Sequence, residues 1–205
     1  MKKQGDLTVA APVAGAPSEP DGRRRRSQDS RARIVAAMLE LIHGGEISPG
    51  AEQVAVRAQV GLRTVFRHFN DMDSLYREMS SVIEAELVGM LARPLKGDTW
   101  REHVMDLIDR RSQAFEKIGP YKRASDVHRH GSPFLEADHV RLVTALREIL
   151  KRELPPEIAS NPLKLEALDV LMSFEAWSRL RREQGLTPRR AREVLENAVQ
   201  RLLDA

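Results

Sequence analysis

From about residue 29 onward, apolar residues recur at steps of three and four, the period of helices that bury one face. No stretch alternates as a half-buried strand would, so the pattern predicts an all-α protein. The first stripe, Ile34, Met38, Leu41 and Ile42, predicts a helix from Asp29 or Ser30 to Ile42, stopped by His43-Gly44-Gly45. Ser48 then stands as a helix cap with Pro49 at the first helical position, and Ala51, Val54, Ala55 and Ala58 form a small-residue face that permits close packing. Gln59, Val60 and Gly61 make a turn in which Gly61 is the residue free to take an unusual backbone conformation. In Leu62 to Phe69, Val65 and Phe69 join Val60 on the buried side, and Arg63 and Arg67 share the outer side.

The remaining stripes are longer. Asn70 or Asp71 can cap a helix carrying Leu75, Met79, Val82, Ile83, Leu87, Met90 and Leu91, which stops before Pro94. Asp98 or Thr99 opens another, which Gly119-Pro120 should break, leaving Tyr121 to His130 as a separate shorter helix. Ser132-Pro133 opens a helix that reaches Leu154. Leu163 to Gln184 reads as one helix, apolar over most of its circumference, which asks for cover on two sides. Ala191, Val194, Leu195, Ala198, Val199 and Leu202 complete a last stripe that can pair with it.

Composition sharpens this picture. The chain has 205 residues, 41% of them hydrophobic and only 4% aromatic, enough to bury a real core built from aliphatic side chains. Net charge is +3, yet residues 23–77 hold ten arginines against six carboxylates, so a local surplus of four coincides with the two short helices. That is the electrostatic footprint of a nucleic-acid module. Residues 1–22, rich in Ala, Pro and Gly, are expected to be a disordered tail and not a signal peptide. Cysteine is absent, which fits a reducing cytoplasm and rules out thiolate metal sites, and no apolar run is long enough to cross a bilayer.

The paired helices from Ser48 to Phe69 read as a helix-turn-helix. A short second helix presenting the forks of Arg63 and Arg67 suits a major groove, where arginine bonds guanine O6 and N7 bidentately. Ser48, Leu62, Thr64, Phe66 and His68 complete the expected DNA-facing set of this motif. Immediately before it, Arg23, Arg24, Arg25 and Arg26 form a basic arm suited to a minor groove or to phosphates.

At these positions the chain resembles the TetR family of bacterial one-component repressors, whose motif runs roughly I-A-x-x-A-G-V-S-x-x-T-L-Y-x-H-F and then K-E-x-L. Here it reads Val54-Ala55-Val56-Arg57-Ala58-Gln59-Val60-Gly61-Leu62-Arg63-Thr64-Val65-Phe66-Arg67-His68-Phe69, then Met72-Asp73-Ser74-Leu75. Three positions depart from the pattern: Gln59 replaces a glycine, Phe66 a tyrosine that touches phosphate, and Met72 a phosphate-binding lysine. The resemblance implies a DNA-binding domain over 23–77 and a helical effector-binding and dimerisation domain over 78–205, linked by a long helix whose tilt sets the spacing of two recognition helices. It also implies a homodimer formed by the last two helices as a four-helix bundle, for which Leu168, Leu171, Val194, Leu195, Ala198 and Leu202 are the candidate contacts. The expected protein is a repressor that leaves a palindromic operator when a small-molecule effector binds.

An apolar effector pocket in the C-terminal half would draw on Trp100, Phe115, Phe134, Met172, Phe174 or Trp177, each of which also serves as ordinary core. Asp126, His128, His130, Asp138 and His139 have the residue types of a metal site, but only Asp126 and His130 share a helix face, so structural hydrogen bonding is the expected role and no metal or other cofactor is expected. Neither GxGxxG nor GKS/GKT occurs, and no Ser-His-Asp order appears, so the chain is not expected to be an enzyme. The rival readings are a non-specific architectural DNA-binding protein and a metal-dependent hydrolase built on the histidines.

Overall fold

The computed structural model describes residues 19–91 and 93–204, and among them there are helices and connecting segments but no strand. Residues 1–18 of the expected tail lie outside the described residues. Helix α1 spans Glu19–His43, so it starts well before the expected Asp29 or Ser30 and takes up the last residues of that tail. The reason is local. Ser30 does not cap a helix but donates from Oγ to the Arg26 carbonyl at 2.9 Å, one turn back, and the arginine run is a good helix former.

Helix α2 covers Ala51–Arg57 and α3 covers Leu62–His68. The cap of α2 is Gly50, whose N–H donates to Gln53 Oε1 at 2.8 Å, and not Ser48, whose hydroxyl instead lies 3.1 Å from His128 Nε2. In the turn, Gln59 takes the left-handed conformation at φ 54°, while Gly61 stays at φ −69°. The residue that needed glycine's freedom is therefore the one where this chain has glutamine. Helix α4, Met72–Leu91, starts where Asp71 Oδ1 accepts from Ser74 N at 2.7 Å, and it buries Leu75, Met79, Ile83 and Leu87 while Val82 faces outward.

Helix α5 runs unbroken over Trp100–Arg129, with Pro120 inside it, against the expected break. Proline in a helix interior costs about 3 kcal/mol. Here Phe115, Ile118, Tyr121 and Ala124 are buried on either side of it, at about 1.5–3 kcal/mol for each large apolar side chain, which exceeds that cost. The start is fixed by a capping box in which Glu102 N donates to Thr99 Oγ1 and Thr99 N to Glu102 Oε2.

Helix α6, Pro133–Glu153, begins as expected with Ser132 Oγ accepting from Leu135 N at 3.1 Å. A single turn, α7, spans Pro156–Ala159. The expected long helix from Leu163 to Gln184 is instead α8, Pro162–Leu171, a break at Met172 and Ser173, and α9, Phe174–Ser178, which passes into a π-helical turn over Arg179–Glu183. Ser173 caps α9, and the buried Arg111 holds the break by donating from Nη1 to the Met172 carbonyl at 3.0 Å and from Nη2 to the Leu146 carbonyl. Helix α10, Pro188–Asp204, buries Ala191, Leu195, Val199 and Leu203.

Helix α5 is the hub, packing against α1, α4, α6, α9 and α10. One hydrophobic core continues from Ile34 through Leu203, and α4 crosses residue 77 without interruption. The N-terminal and C-terminal helices thus share packing, with Tyr76 of α4 against Tyr121 and His128 of α5 at ring-centroid distances of 6.2 and 5.7 Å.

Candidate nucleic-acid interface

Packing fixes which side of α3 is presented. Val65 and Phe69 are buried with Val54 and Ala55 of α2 and with Ala58 at its C-terminal cap, so the opposite side of the helix must face out. Leu62, Arg63, Phe66 and Arg67 occupy it, and Phe66 is 56% exposed. Among the described residues neither Arg63 nor Arg67 makes a hydrogen bond or an ion pair. Thr64 is half-buried. His68, expected at DNA, is turned inward: it is half-buried, its Nε2 is enclosed without a partner, and burial, followed by the charges of Arg67 and Arg31, holds it below the usual histidine pKa and neutral at pH 7.

Two arginines missed by sequence reasoning position this surface. Arg31 of α1 donates from Nη1 to the His68 carbonyl at 2.7 Å and from Nη2 to Glu78 Oε1 at 2.9 Å, and its guanidinium lies 4.5 Å from the Phe69 ring centroid. It ties the end of α3 to both α1 and α4. Arg57 of α2 pairs with Glu40 of α1 at 2.6 Å. The only sequence signal for either was an arginine close to an apolar stripe, which does not distinguish a brace from a DNA contact.

The basic arm is helical. Arg24, Arg25 and Arg26 are exposed on the first turns of α1, and the side chain of Arg23 lies outside the described residues. Ser48 is exposed but sits outside α2 and beside His128, which removes it from the cap position from which it was expected to meet DNA. Met72, where the resemblance expects a lysine, is also exposed, so the two apolar departures Phe66 and Met72 lie on the surface and not in the core.

Two solved structures share this arrangement over most of the chain. One is a transcriptional regulator from Rhodococcus sp. RHA1, with a TM-score of 0.66 and 18% identity over 85% of this chain and 96% of its own. The other is a TetR-like transcriptional regulator, also from Rhodococcus sp. RHA1, with a TM-score of 0.56 and 16% identity over 88% of this chain and 96% of its own. The fold is TetR-like. No protein-family model and no curated protein sequence matches the chain.

In the C-terminal half of this TetR-like fold, the expected pocket residues are mostly packing. Phe115 and Phe174 meet edge to face at 5.6 Å, Trp177 Nε1 donates to Glu116 Oε1 at 2.9 Å, and Met172 is buried at the helix break. Phe134 lies beneath the Arg77 guanidinium and Trp100 beneath that of Arg101. A cavity of about 310 Å³ opens instead between α4, α5 and α6, where small side chains such as Ser80, Ser125 and Ala145 leave room, and none of the six residues lines it. Phe174 borders a neighbouring space of about 280 Å³, which shares Lys122 and Leu142 with the first.

The six dimer candidates divide. Leu168 and Leu195 are closed inside the chain's own core and would offer a second copy no surface. Leu171, Val194, Ala198 and Leu202 remain partly exposed on α8 and α10, as do Val170, at 66% exposure, and Leu163, which sequence reasoning did not select for this face. Among the described residues no cluster of three metal-ligating side chains forms: His130 is exposed, and Asp126 pairs with Lys122 and Arg129. No helix is long and apolar enough to cross a membrane among the described residues.

Proposed function

We propose that this chain is a sequence-specific, DNA-binding transcriptional regulator that works as a homodimer on a palindromic site. The observation that carries the reading is the outer face of α3, where Arg63 and Arg67 project without intramolecular partners among the described residues from a helix braced by Arg31. Two such helices, one per protomer, would enter successive major grooves, with Arg24, Arg25 and Arg26 on the backbone or minor groove nearby. The exposed apolar side chains of α8 and α10 are the proposed dimer face, covered by the same face of a second copy. The similar Rhodococcus proteins are named as transcriptional regulators, which agrees with this role and with a place of action where the genome is, the cytoplasm.

Repression with release by a small molecule is the mode proposed. The shared packing of α4, α5 and α1 gives a path: a ligand that shifts α4 against α5 favours a state in which the two copies of α3 no longer match the groove spacing. Non-specific architectural binding is the alternative, favoured by Phe66 and Met72 where phosphate contacts would lie. Selection of bound fragments from the source genome tests the choice. A recurrent palindrome is the expected result, and enrichment without any common sequence would reject specific regulation.

A further inference from the structure

The outer face of α3 carries two stripes side by side. Arg63 and Arg67 are four residues apart, and so are Leu62 and Phe66, which sets the members of each pair about 6 Å apart along the axis, with the apolar stripe one residue beside the basic one. Leu62 and Phe66 are both exposed, as is Met72 at the start of α4. Phe66 and Met72 border one hollow of about 130 Å³ that Met38, Val54 and Leu75 also line, so the covered side of the ring rests against core residues while more than half of its surface stays open. An exposed apolar patch rimmed by polar groups marks a surface that a partner covers. Here the rim is the two guanidinium forks, which make no hydrogen bond or ion pair among the described residues.

The chemistry of the apolar stripe selects what it can meet on DNA. A phenyl ring has no donor for phosphate, and lying against one would strip water from the anion without replacing its hydrogen bonds. On base edges in the major groove, guanine, cytosine and adenine present donors and acceptors, whereas thymine also presents a methyl group, the one apolar group available there. Insertion as a wedge between base steps is the other use of phenylalanine at DNA, but that belongs to the minor groove, and the forks on the same face of α3 suit the major groove. We infer that Phe66 reads thymine: its ring, extended by Leu62, packs on the C5-methyl group of a thymine beside the guanine bonded by Arg63 or Arg67. The inference rests on the regulator reading and deepens it, because it requires a half-site in which guanine and thymine are neighbours. It also gives Phe66 a part in sequence preference at the position where the resemblance expects a tyrosine on phosphate.

The test uses the full chain and the site selected from genomic DNA. Each thymine of one half-site, together with its symmetry mate in the other, is replaced in turn by deoxyuridine, which removes the methyl group and keeps the base pair. The expected result is that one symmetric pair of positions loses about 16-fold in affinity, about 4-fold for each methyl group, or roughly 0.8 kcal/mol apiece. In Phe66→Ala, an exposed substitution that leaves the fold intact, the same replacement should change affinity by no more than about 2-fold. Phe66→Tyr separates a base contact from a phosphate contact, because a phenol on phosphate would tighten binding to selected and scrambled DNA alike. A selected half-site without thymine, no methyl effect at any thymine, the same methyl effect in Phe66→Ala, or equal tightening of both DNAs by Phe66→Tyr would overturn the inference and leave the regulator reading standing. Selection that returns no common sequence would remove the regulator reading, and this inference with it.

Discussion

In the C-terminal half, Arg101, Arg147, Arg181 and Arg192 each close on a carboxylate of another element: Asp204, Glu166 with Asp169, Glu116, and Asp109. In the N-terminal half, Arg24, Arg25, Arg26, Arg63 and Arg67 close on none among the described residues. The same side chain therefore has two uses. Paired across helices, arginine fixes register, although each exposed pair adds little stability, about 0–1 kcal/mol. Left unpaired beside like charges, it repels its neighbours and contributes only once an anion arrives. On the function proposed, that anion is DNA phosphate and the acceptor is the guanine edge.

Substitutions on the two sides should therefore read out differently. The largest effect is expected at Arg111, which is 2% exposed and holds two carbonyls at the α8–α9 break. Arg111→Leu should lower unfolding stability by about 2–4 kcal/mol in urea, because it leaves buried carbonyls unpaired and the site imperfectly filled. Next comes Arg63→Ala, which should cost about 1–3 kcal/mol on the preferred DNA and relax preference at one base position, while unfolding stability stays within about 0.5 kcal/mol of the parent. If it lowers stability as Arg111→Leu does, the contrast between the two halves fails.

Acid titration probes the paired side. Glu116 is held below the usual carboxylate pKa of 4.5, first by its hydrogen bond from Arg181, with Trp177 also donating. A depressed native pKa stabilises the fold above the unfolded value, and that contribution is lost as pH falls through the native pKa. Parent and Glu116→Gln should thus differ most above pH 4.5 and converge in stronger acid, as followed by thermal unfolding. The smallest change is expected at Gln59, whose left-handed backbone costs about 1–2 kcal/mol, while glycine loosens the unfolded chain by about 0.4–1 kcal/mol. Gln59→Gly should therefore gain roughly 0.5 kcal/mol, and a loss would mean that its side chain contributes something the backbone argument omits.

Much of this was legible in the sequence, and the misses have physical causes. Periodicity gave the all-α class, the helix-turn-helix and the outward face of Arg63 and Arg67, because those depend on local spacing. The unbroken α5 was not legible, since the packing that keeps Pro120 helical comes from distant chain. Nor was the break at Met172 and Ser173, which is held by Arg111 from another helix. Local turn chemistry misled at Gly61 because Gln59 carries the left-handed residue without being glycine. The aromatic residues do not line the cavity between α4, α5 and α6, and Phe174 borders the space beside it. Phe115, Phe174 and Trp177 fill space, and the cavity forms where smaller side chains face one another.

The central claim is that the unpaired arginines of α3 read sequence and those of α1 do not. The most direct measurement is a salt series on the selected DNA site and on a scrambled duplex, for the parent, for Arg63→Ala and for Arg24, Arg25 and Arg26 changed together to Ala. The account predicts that Arg63→Ala shrinks the gap between the two duplexes, whereas the triple change weakens both alike and reduces the salt slope by roughly 0.9 for each phosphate that is no longer neutralised. Equal losses on both duplexes for Arg63→Ala, or no gap in the parent at any salt concentration, would contradict it.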